Sequence, residues 1–351
     1  MTLVSSFDFD LPDSLIAQEA RPRGQSRLLV VNRAAGTFVE HPIAELPRLL
    51  APGDRLVAND TRVFPARLIG RRLPGGGVSE CLLLERAGED QWLALVHPGQ
   101  RLKPGSQIVF DDAARAPGVQ LRATILDRRF FGRRLVQLSA AGTQDVDDAV
   151  DRLGHIPLPP YIKRDDRADD RERYQTVYAR ARGSVAAPTA GLHFDAAMLD
   201  ALGRQGIDWT TITLHVGYGT FKPVRADVAE EHVVDPEAYV ISADAASAIA
   251  ETRRLGHRIV AVGTTTTRAL ETAASQDGMV HAASGATELF VRPGHVFKAI
   301  DGLVTNFHLP KSSLLMLVAA FGGHDLILAA YRHAVRQQFH FYSYGDAMLI
   351  V

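Results

Sequence analysis

The stretch VAVGTTTTRALETAA, residues 260–274, joins a short β-rich run to a helical segment through a Gly-Thr turn. Such a unit is typical of a layered α/β structure, in which loops at the carboxyl ends of strands hold ligands. The turn directs free backbone N–H groups at an anion, so Thr264 and Thr265 are candidate ligands, with simple helix capping as the alternative. Arg268 opposes the helix dipole, which predicts an anionic partner, either Glu271 or a bound carboxylate.

Similar units surround this stretch. Helices with capping residues Asp195 and Ser242 are predicted to end at Gly206 and Gly256. Strands are predicted over WTTITLHV (209–216), RIVAVG (258–263), TELFV (287–291) and GLVTNF (302–307). Between about Asp54 and Leu138, short apolar runs separated by Gly, Pro and Asp clusters indicate a β-meander or small barrel instead. The all-β segment therefore reads as an insertion into one α/β domain.

Three more loops carry side chains suited to chemistry. APTAGLHF (187–194) places Thr189 and His193 on a turn that is neither a helix interior nor a plain strand. GLVTNFHLPKSS (302–313) offers Asn306 and His308, which alternatively only tie down the loop backbone. In TLHVGYGTFKPV (213–224), His215 precedes an incomplete dinucleotide fingerprint that has Lys222 in place of its last glycine. A satisfied histidine of the sheet is the alternative there.

Two basic stretches in the β segment indicate a polyanionic partner. RVFPARLIGRR (62–72) and RRFFGRR (128–134) hold four arginines each and no acid, and the second surrounds Phe130 and Phe131. Arginines contact phosphates and aromatic rings stack on unpaired bases, which is typical of binding to loop RNA. A solvated hairpin tip is the alternative. The candidate RNA contacts are Arg67, Arg71, Arg72, Arg128, Arg129, Arg133 and Arg134.

The composition limits the classes of function. The 351 residues have a formal net charge of −1, which argues against binding nucleic acid or membranes through the electrostatic field of the whole protein. The single cysteine, Cys81, excludes a disulfide framework and a multi-cysteine zinc site, and fits a reducing compartment. No secretory signal is visible, and the 13-residue uncharged run at 312–324 is too short for a membrane helix. The sequence therefore predicts a cytoplasmic protein without membrane contact.

Six segments in this order resemble the S-adenosylmethionine:tRNA ribosyltransferase-isomerase family of queuosine biosynthesis. They are ANDTRVFPARL (58–68), APTAGLHF (187–194), TLHVGYGTFKPV (213–224), VGTTTTRALE (262–271), DGLVTNFHLPKSSLLMLVAAFGG (301–323) and FYSYGDAMLI (341–350). The resemblance implies an α/β fold, a three-layer α/β/α domain with an inserted small β-barrel. We expect residues 1–60 and 152–351 to form the discontinuous α/β domain, and residues 61–151 to form a barrel that contacts tRNA.

The family's activity is what the resemblance implies for the reaction. The ribosyl part of S-adenosylmethionine, the co-substrate, moves to 7-aminomethyl-7-deazaguanine at the wobble position of tRNA, giving epoxyqueuosine and releasing adenine and methionine. No metal or other cofactor is implied, and we expect a monomer. The chain departs from the family's usual residues at Val234–Glu237, where Met-His-x-Glu is usual. It also departs at His340, where arginine is usual, and at Ser313, where threonine is usual.

The chemistry needs a base at C5′, whose hydrogens the sulfonium acidifies, and a proton donor for the departing adenine. Only histidine ordinarily titrates near neutrality, so we expect proton transfer by His193 first, then His215 or His308, with Asp60 as a further catalytic group. Asp60 or Glu288 suits the guanine-like edge of the base. Arg62 suits an adjacent phosphate, and Thr264, Thr265 and Arg268 suit the methionine carboxylate. The remaining candidate substrate contacts are Thr189, Asn306 and Asp346.

Two other classes of function fit parts of the pattern. One is an S-adenosylmethionine- or nucleotide-dependent enzyme for small molecules, for which the arginine clusters of the β segment would be dispensable. The other is a non-catalytic RNA-binding module, which would not need several strand-end loops with histidine and threonine. Activity of variants without the arginine clusters distinguishes the first class from a tRNA-modifying enzyme.

Overall fold

The computed structural model describes residues 1–221 and 224–351; Lys222, Pro223 and the side chains of Phe131 and Phe221 lie outside the described part. Its strands, numbered in chain order, are β1 (Arg27–Asn32), β2 (Thr37–Pro42), β3 (Arg55–Asn59), β4 (Thr61–Val63), β5 (Arg67–Leu73), β6 (Val78–Gly88), β7 (Gln91–His97), β8 (Gln107–Asp111), β9 (Gln120–Arg128), β10 (Arg133–Ala141), β11 (Ala181–Ser184), β12 (Asp208–Leu214), β13 (Glu237–Ile241), β14 (Ile259–Val262), β15 (Ala283–Thr287), β16 (Gly302–Asn306) and β17 (Ala347–Ile350). Its α-helices are α1 (Leu46–Leu49), α2 (Val146–Leu153), α3 (Asp170–Arg173), α4 (Ala196–Arg204), α5 (Ala243–Arg254), α6 (Thr264–Ala273), α7 (Ser313–Gly322) and α8 (His324–Arg336).

A nine-stranded sheet forms the centre of the larger domain, in the order β15-β13-β12-β3-β14-β16-β17-β1-β2. Strands β12, β3, β14 and β16 are parallel neighbours, while β13 runs antiparallel to β12. The last strand of the chain, β17, lies inside the sheet, antiparallel to β16 and parallel to β1. Its register places Ile350 opposite Leu303 and Ala347 opposite Leu28. Strands β1 and β17, far apart in the sequence, are therefore neighbours inside the sheet.

Both faces of this sheet are covered by helices. In β14, Ile259 and Ala261 join one apolar core with residues of α5, α6, α7 and α8, and Val260 and Val262 join another with residues of α1 and α4. Since successive side chains of a strand point to opposite faces, the helices form layers above and below the sheet. The prediction of a three-layer α/β/α domain is confirmed. No single helix in the described ranges is long and apolar enough to cross a membrane, although α7 and α8 pass that test together across a bend of 116°.

Local capping signals set the helix starts as the sequence predicts. The Asp195 carboxylate accepts a hydrogen bond from Met198 N, and Ser242 Oγ accepts one from Ala245 N. Gly206 and Gly256, with φ of 72° and 78°, follow the ends of these two helices in the left-handed conformation. The prediction of a strand over residues 287–291 is wrong, because the edge strand β15 lies earlier, over Ala283–Thr287, where it pairs with β13. The apolar residues after it pack as a loop.

The inserted segment closes into a six-stranded barrel, in the order β10-β7-β6-β5-β8-β9. The barrel has its own core, which includes Leu68, Cys81 and Phe110 and extends to apolar residues of α2. The chain leaves the sheet after Asp60 as β4 and returns as β11, and these two strands pair in parallel with Thr61 opposite Ala181. An inserted small barrel is thus confirmed, while the boundaries at residues 60/61 and 151/152 stay a prediction.

Candidate active site

Polar side chains from distant parts of the sequence meet at one edge of the sheet. Strands β12, β3, β14 and β16 end at this edge and the antiparallel β17 begins there, as does β13. In strand order, the polar groups at this edge are Glu288, Glu237, His215, Asp60, Thr264, Asn306 and Asp346. Neighbouring strands lie about 4.8 Å apart, so these groups form a continuous row. We call them the sheet-edge row.

His193 is fully enclosed beside this row. Its Nδ1 lies 2.8 Å from Ser26 Oγ and its Nε2 lies 3.2 Å from Asn306 Nδ2. Because Asn306 Nδ2 also donates to the Tyr342 carbonyl, Nε2 accepts and Nδ1–H donates. The residue is 4% exposed, and burial lowers its pKa to about 4. Both ring nitrogens are occupied, so the geometry favours a neutral positioning residue, and proton transfer by His193 stays a prediction.

His215 differs from His193 in having a ring nitrogen without a partner. Its Nδ1 lies 2.8 Å from Thr61 Oγ1, and its Nε2 makes no hydrogen bond within residues 1–221 and 224–351. The side chain is half-buried, and burial lowers its pKa, which keeps the ring neutral. Gly183 lies against the ring, where a Cβ would come within 2.7 Å of His215 Cε1. This histidine has the geometry of a general base.

Asp60 lies next to His215 in the sheet-edge row. Its buried carboxylate accepts hydrogen bonds from Thr213 Oγ1 at 2.6 Å and from Arg180 at 2.8 Å. The Arg180 side chain is 80% exposed. A buried carboxylate is thereby joined to a cation that faces solvent, and its charge favours the protonated form of the His215 ring. Arg180 is not among the residues predicted from the sequence, because acids and bases alternate over the segment that precedes it.

Arg268 has a protein partner that the sequence did not identify. Its Nη1 donates to Glu237 Oε2 at 2.5 Å and its Nε donates to the Leu289 carbonyl at 2.8 Å. Glu271 accepts backbone N–H groups of Lys298 and Ala299 instead, so the alternative of an Arg268–Glu271 pair is wrong. Glu237 belongs to the segment Val234–Glu237, which departs from the family's usual residues. It is the one position of Val234–Glu237 that keeps the family's residue, which is the signal that could have identified it.

The threonine run divides into two pairs. Helix α6 begins after Gly263, and Thr266 and Thr267 donate their hydroxyls to backbone carbonyls of the preceding turn. The hydroxyls of Thr264 and Thr265 make no hydrogen bond in the part of the chain that the structure describes, although both residues are buried. The turn that contains Thr189 lies nearby, since a Cβ on Gly263 would be 3.6 Å from Ala190 Cβ. Two unpartnered hydroxyls at a helix start suit a polar ligand.

Other predicted contacts are enclosed in the protein. His308 Nε2 lies 2.9 Å from Thr305 Oγ1, and burial lowers the His308 pKa to about 3. Asp346 is completely buried and accepts hydrogen bonds from Arg21, from Arg27 N and from His340 N. Asp346 therefore ties edge loops together, and its carboxylate has no face left for substrate.

Glu288 is the remaining acid of the sheet-edge row. Glu288 is exposed and has no protein partner in the described ranges, so its carboxylate stays open to a ligand. Across those ranges, no three His, Cys, Asp or Glu side chains come together as a metal site would require. Glu288 as a contact to the base stays a prediction.

The arginines of the barrel fall into two groups. Arg134 is buried and donates to backbone carbonyls, including those of Gly99 and Leu102, so it is not available to RNA. Arg67 pairs with Glu80, Arg71 with Asp111, and Arg133 with Asp235 of the larger domain. The second group is exposed or half-exposed: Arg62, Arg72 and Arg128 make no ion pair in the described residues, and Arg129 makes a long contact of 3.5 Å with Asp127.

One exposed surface combines cations with an aromatic ring. Phe130 at the β9–β10 hairpin tip is 87% exposed and directly follows the exposed Arg128 and Arg129. The exposed Arg101 and Lys103 lie on the neighbouring loop, which Arg134 ties to the hairpin. We call these five residues the hairpin-tip patch. The Phe131 side chain, predicted to take part, lies outside the described residues.

Comparisons with known proteins agree with this architecture. A family model described as queuosine biosynthesis protein matches residues 4–350. The S-adenosylmethionine:tRNA ribosyltransferase-isomerase of Symbiobacterium thermophilum is 50% identical over 349 residues, covering 99% of each chain. The protein of that name from Moorella thermoacetica is 50% identical over 351 residues, also covering 99% of each chain. The crystal structure of S-adenosylmethionine tRNA ribosyltransferase from Thermotoga maritima is 37% identical, with a TM-score of 0.56 over 99% of this chain and 100% of that one.

Proposed function

This chain belongs to the queuosine biosynthesis protein family, and we propose that its sheet-edge row is the centre at which it acts as an S-adenosylmethionine:tRNA ribosyltransferase-isomerase. The enzyme moves the ribosyl part of S-adenosylmethionine to 7-aminomethyl-7-deazaguanine in tRNA, with release of adenine and methionine. The full-length match to relatives of that name supports the reaction. The observation that carries the location is the free Nε2 of His215 in the middle of the row.

The residues of the row divide the work of the reaction. His215 Nε2 takes the C5′ proton, because it is the one histidine nitrogen near the row with access and no protein partner among the described residues. Asp60, held by Thr213 and Arg180, stabilises the imidazolium that forms. Thr264 and Thr265 present free hydroxyls to the nucleoside, and Glu288 accepts from the guanine-like edge of the base. His193 and Asn306 hold the neighbouring loops in register.

The hairpin-tip patch is the part of the barrel that supports tRNA docking best. Its cations are unburied, and its exposed Phe130 offers a face for an unstacked base. Arg133 of the same hairpin contacts Asp235, close to Glu237 at the sheet edge. RNA bound at the patch therefore reaches toward the sheet-edge row. Arg62, exposed on β4 directly after Asp60, suits a phosphate next to the modified base.

Replacing Arg128 and Arg129 with serine is expected to weaken tRNA binding and to lower the slope of log Kd against log salt concentration by about 1.5, because two phosphate contacts release fewer counterions. Filter binding at several salt concentrations measures the slope. Arg86→Ser is the matched control, since Arg86 also lies on the barrel but is paired with Asp147. An unchanged slope in the double variant would show that the hairpin tip is a solvated surface that does not contact tRNA.

The direct test is incubation with S-adenosylmethionine and tRNA carrying the aminomethyl base, followed by mass analysis of the nucleosides. Epoxyqueuosine together with free adenine and methionine is the expected result. The rival class, an enzyme for small molecules, predicts consumption of S-adenosylmethionine without tRNA. We propose that the enzyme needs no further cofactor and acts as a monomer in the cytoplasm, where both substrates occur. Light scattering of the purified protein tests whether it is a monomer.

A further inference from the structure

A pocket adjoins the sheet-edge row at the end where β13 and β15 lie. Its apolar wall includes Leu289, Val291, Leu314 and Leu317. Three charged side chains also line it: Asp235, which pairs with Arg133, and the ion pair of Glu237 and Arg268. Small-molecule sites are typically concave and mainly apolar, with few polar groups that fix orientation. The pocket has this composition.

Glu237 and Arg268 are enclosed, but neither uses all of its hydrogen-bonding capacity. Their side chains are 4% and 9% exposed for Glu237 and Arg268. Arg268 has five N–H donors and directs one each to Glu237, Leu289 and, at 3.4 Å, Thr287, so the remaining donors are free. Glu237 Oε2 accepts only from Arg268, so one of its lone pairs is free. A buried ion pair contributes little net stability, which makes a binding role the better explanation for its presence.

We propose that this pocket binds the amino-acid part of S-adenosylmethionine, with the α-carboxylate on Arg268 and the α-ammonium on Glu237. The methylene groups between the α-carbon and the sulfonium then lie on the leucine side chains of the wall. The inference rests on the proposed function and deepens it: it assigns the ammonium to Glu237 and moves the methionine carboxylate away from Thr264 and Thr265. Charge-assisted hydrogen bonds from both groups select a zwitterion over a simple acid or amine.

The position of the pocket agrees with the reaction geometry. Glu237 Oε1 accepts from Gly217 N at 2.9 Å and from Thr220 Oγ1 at 3.1 Å, so it orders the loop that follows His215. Arg268 lies one helical turn after Thr264 on the same side of α6. With its amino-acid part in the pocket, S-adenosylmethionine therefore directs its sulfonium toward the row between His215 and Thr264. The C5′ carbon bonded to that sulfonium then faces the imidazole.

The first test uses the unaltered protein and three probes: L-methionine, its analogue without the amino group and its analogue without the carboxylate. Calorimetry is expected to show methionine binding in competition with S-adenosylmethionine, and each analogue binding about tenfold or more weakly, because a charged hydrogen bond is lost. Equal binding of methionine and the analogue without the amino group would overturn the assignment of Glu237. This test needs no variant to fold.

The second test is Glu237→Gln, which keeps the size of the side chain and an acceptor for Gly217 N but removes the charge. It is expected to raise the KM for S-adenosylmethionine about tenfold and to abolish the preference for methionine over the analogue without the amino group. Glu271→Gln is the matched control: a buried carboxylate of α6 that accepts backbone N–H groups outside the pocket. The control should keep the preference.

The two proposals fail separately. If the unaltered protein forms no epoxyqueuosine in tRNA, the proposed function is wrong, whatever methionine does. If it forms epoxyqueuosine while Glu237→Gln keeps both its KM and its preference for methionine, only the assignment of the pocket is wrong.

Discussion

His215→Asn is expected to lower kcat by about a hundredfold or more, because asparagine can bond to Thr61 but cannot take a proton near neutrality. Binding of tRNA and the melting temperature should change little, since the ring is half-buried and makes one hydrogen bond. Single-turnover rates at saturating substrates measure the effect. Burial lowers the pKa of His215, so the unaltered enzyme should lose activity only as pH falls below the ordinary range of histidine.

His193→Asn is the variant with which His215→Asn should be compared. His193 is enclosed by Ser26 and Asn306, so its loss should lower turnover and melting temperature together. The opposite pattern is normal turnover in His215→Asn and a large loss of turnover in a stably folded His193→Asn. That result would make His193 the proton-transfer residue, as the sequence predicts.

Acidification is expected to destabilise the protein strongly between pH 6.5 and pH 4. The folded state keeps His193 neutral, with its pKa lowered from 6.5 to about 4, and His308 neutral, with its pKa lowered to about 3. The unfolded chain binds protons at both rings below pH 6.5, so the free energy of unfolding falls as pH falls through this window. Across this window, from pH 6.5 to pH 4, the loss amounts to about 3 kcal/mol for each ring.

Urea unfolding at pH 7 and at pH 4.5 measures this loss. His193→Asn should show a smaller difference between the two pH values than the unaltered protein, because one proton-binding site of the unfolded chain is gone. An identical difference in both proteins would mean that other groups carry the pH dependence.

Features set by local sequence were predictable. Strand-helix units such as VAVGTTTTRALETAA, the capping residues Asp195 and Ser242, and the turn-rich barrel depend on neighbours within a few residues. The gathering of histidines and threonines at one sheet edge followed from the rule that parallel strands end together. Its main residues could therefore be named from the sequence.

The choice of partners was not predictable, because it depends on residues far away in the chain. Arg268 could be expected to need an anion, but its partner Glu237 lies 31 positions away, on strand β13. Asp346 reads as a free acid until Arg21 and the start of β1 meet it. Arg134 reads as a surface cation, yet the loop before β8 supplies the carbonyls that bury it. Only the assembled fold separates free charges from paired ones.

The interior position of β17 has a consequence for biosynthesis. Ala347–Ile350 is the last strand to leave the ribosome, yet β1 and β16 both need it as their neighbour. The barrel strands, all complete by Ala141, can pair while translation continues. The sheet cannot close until β17 has left the ribosome, so the edges of β1 and β16 stay unpaired and open to other chains until then. The nascent protein is therefore most exposed to aggregation, and most dependent on chaperones, in the interval just before β17 emerges.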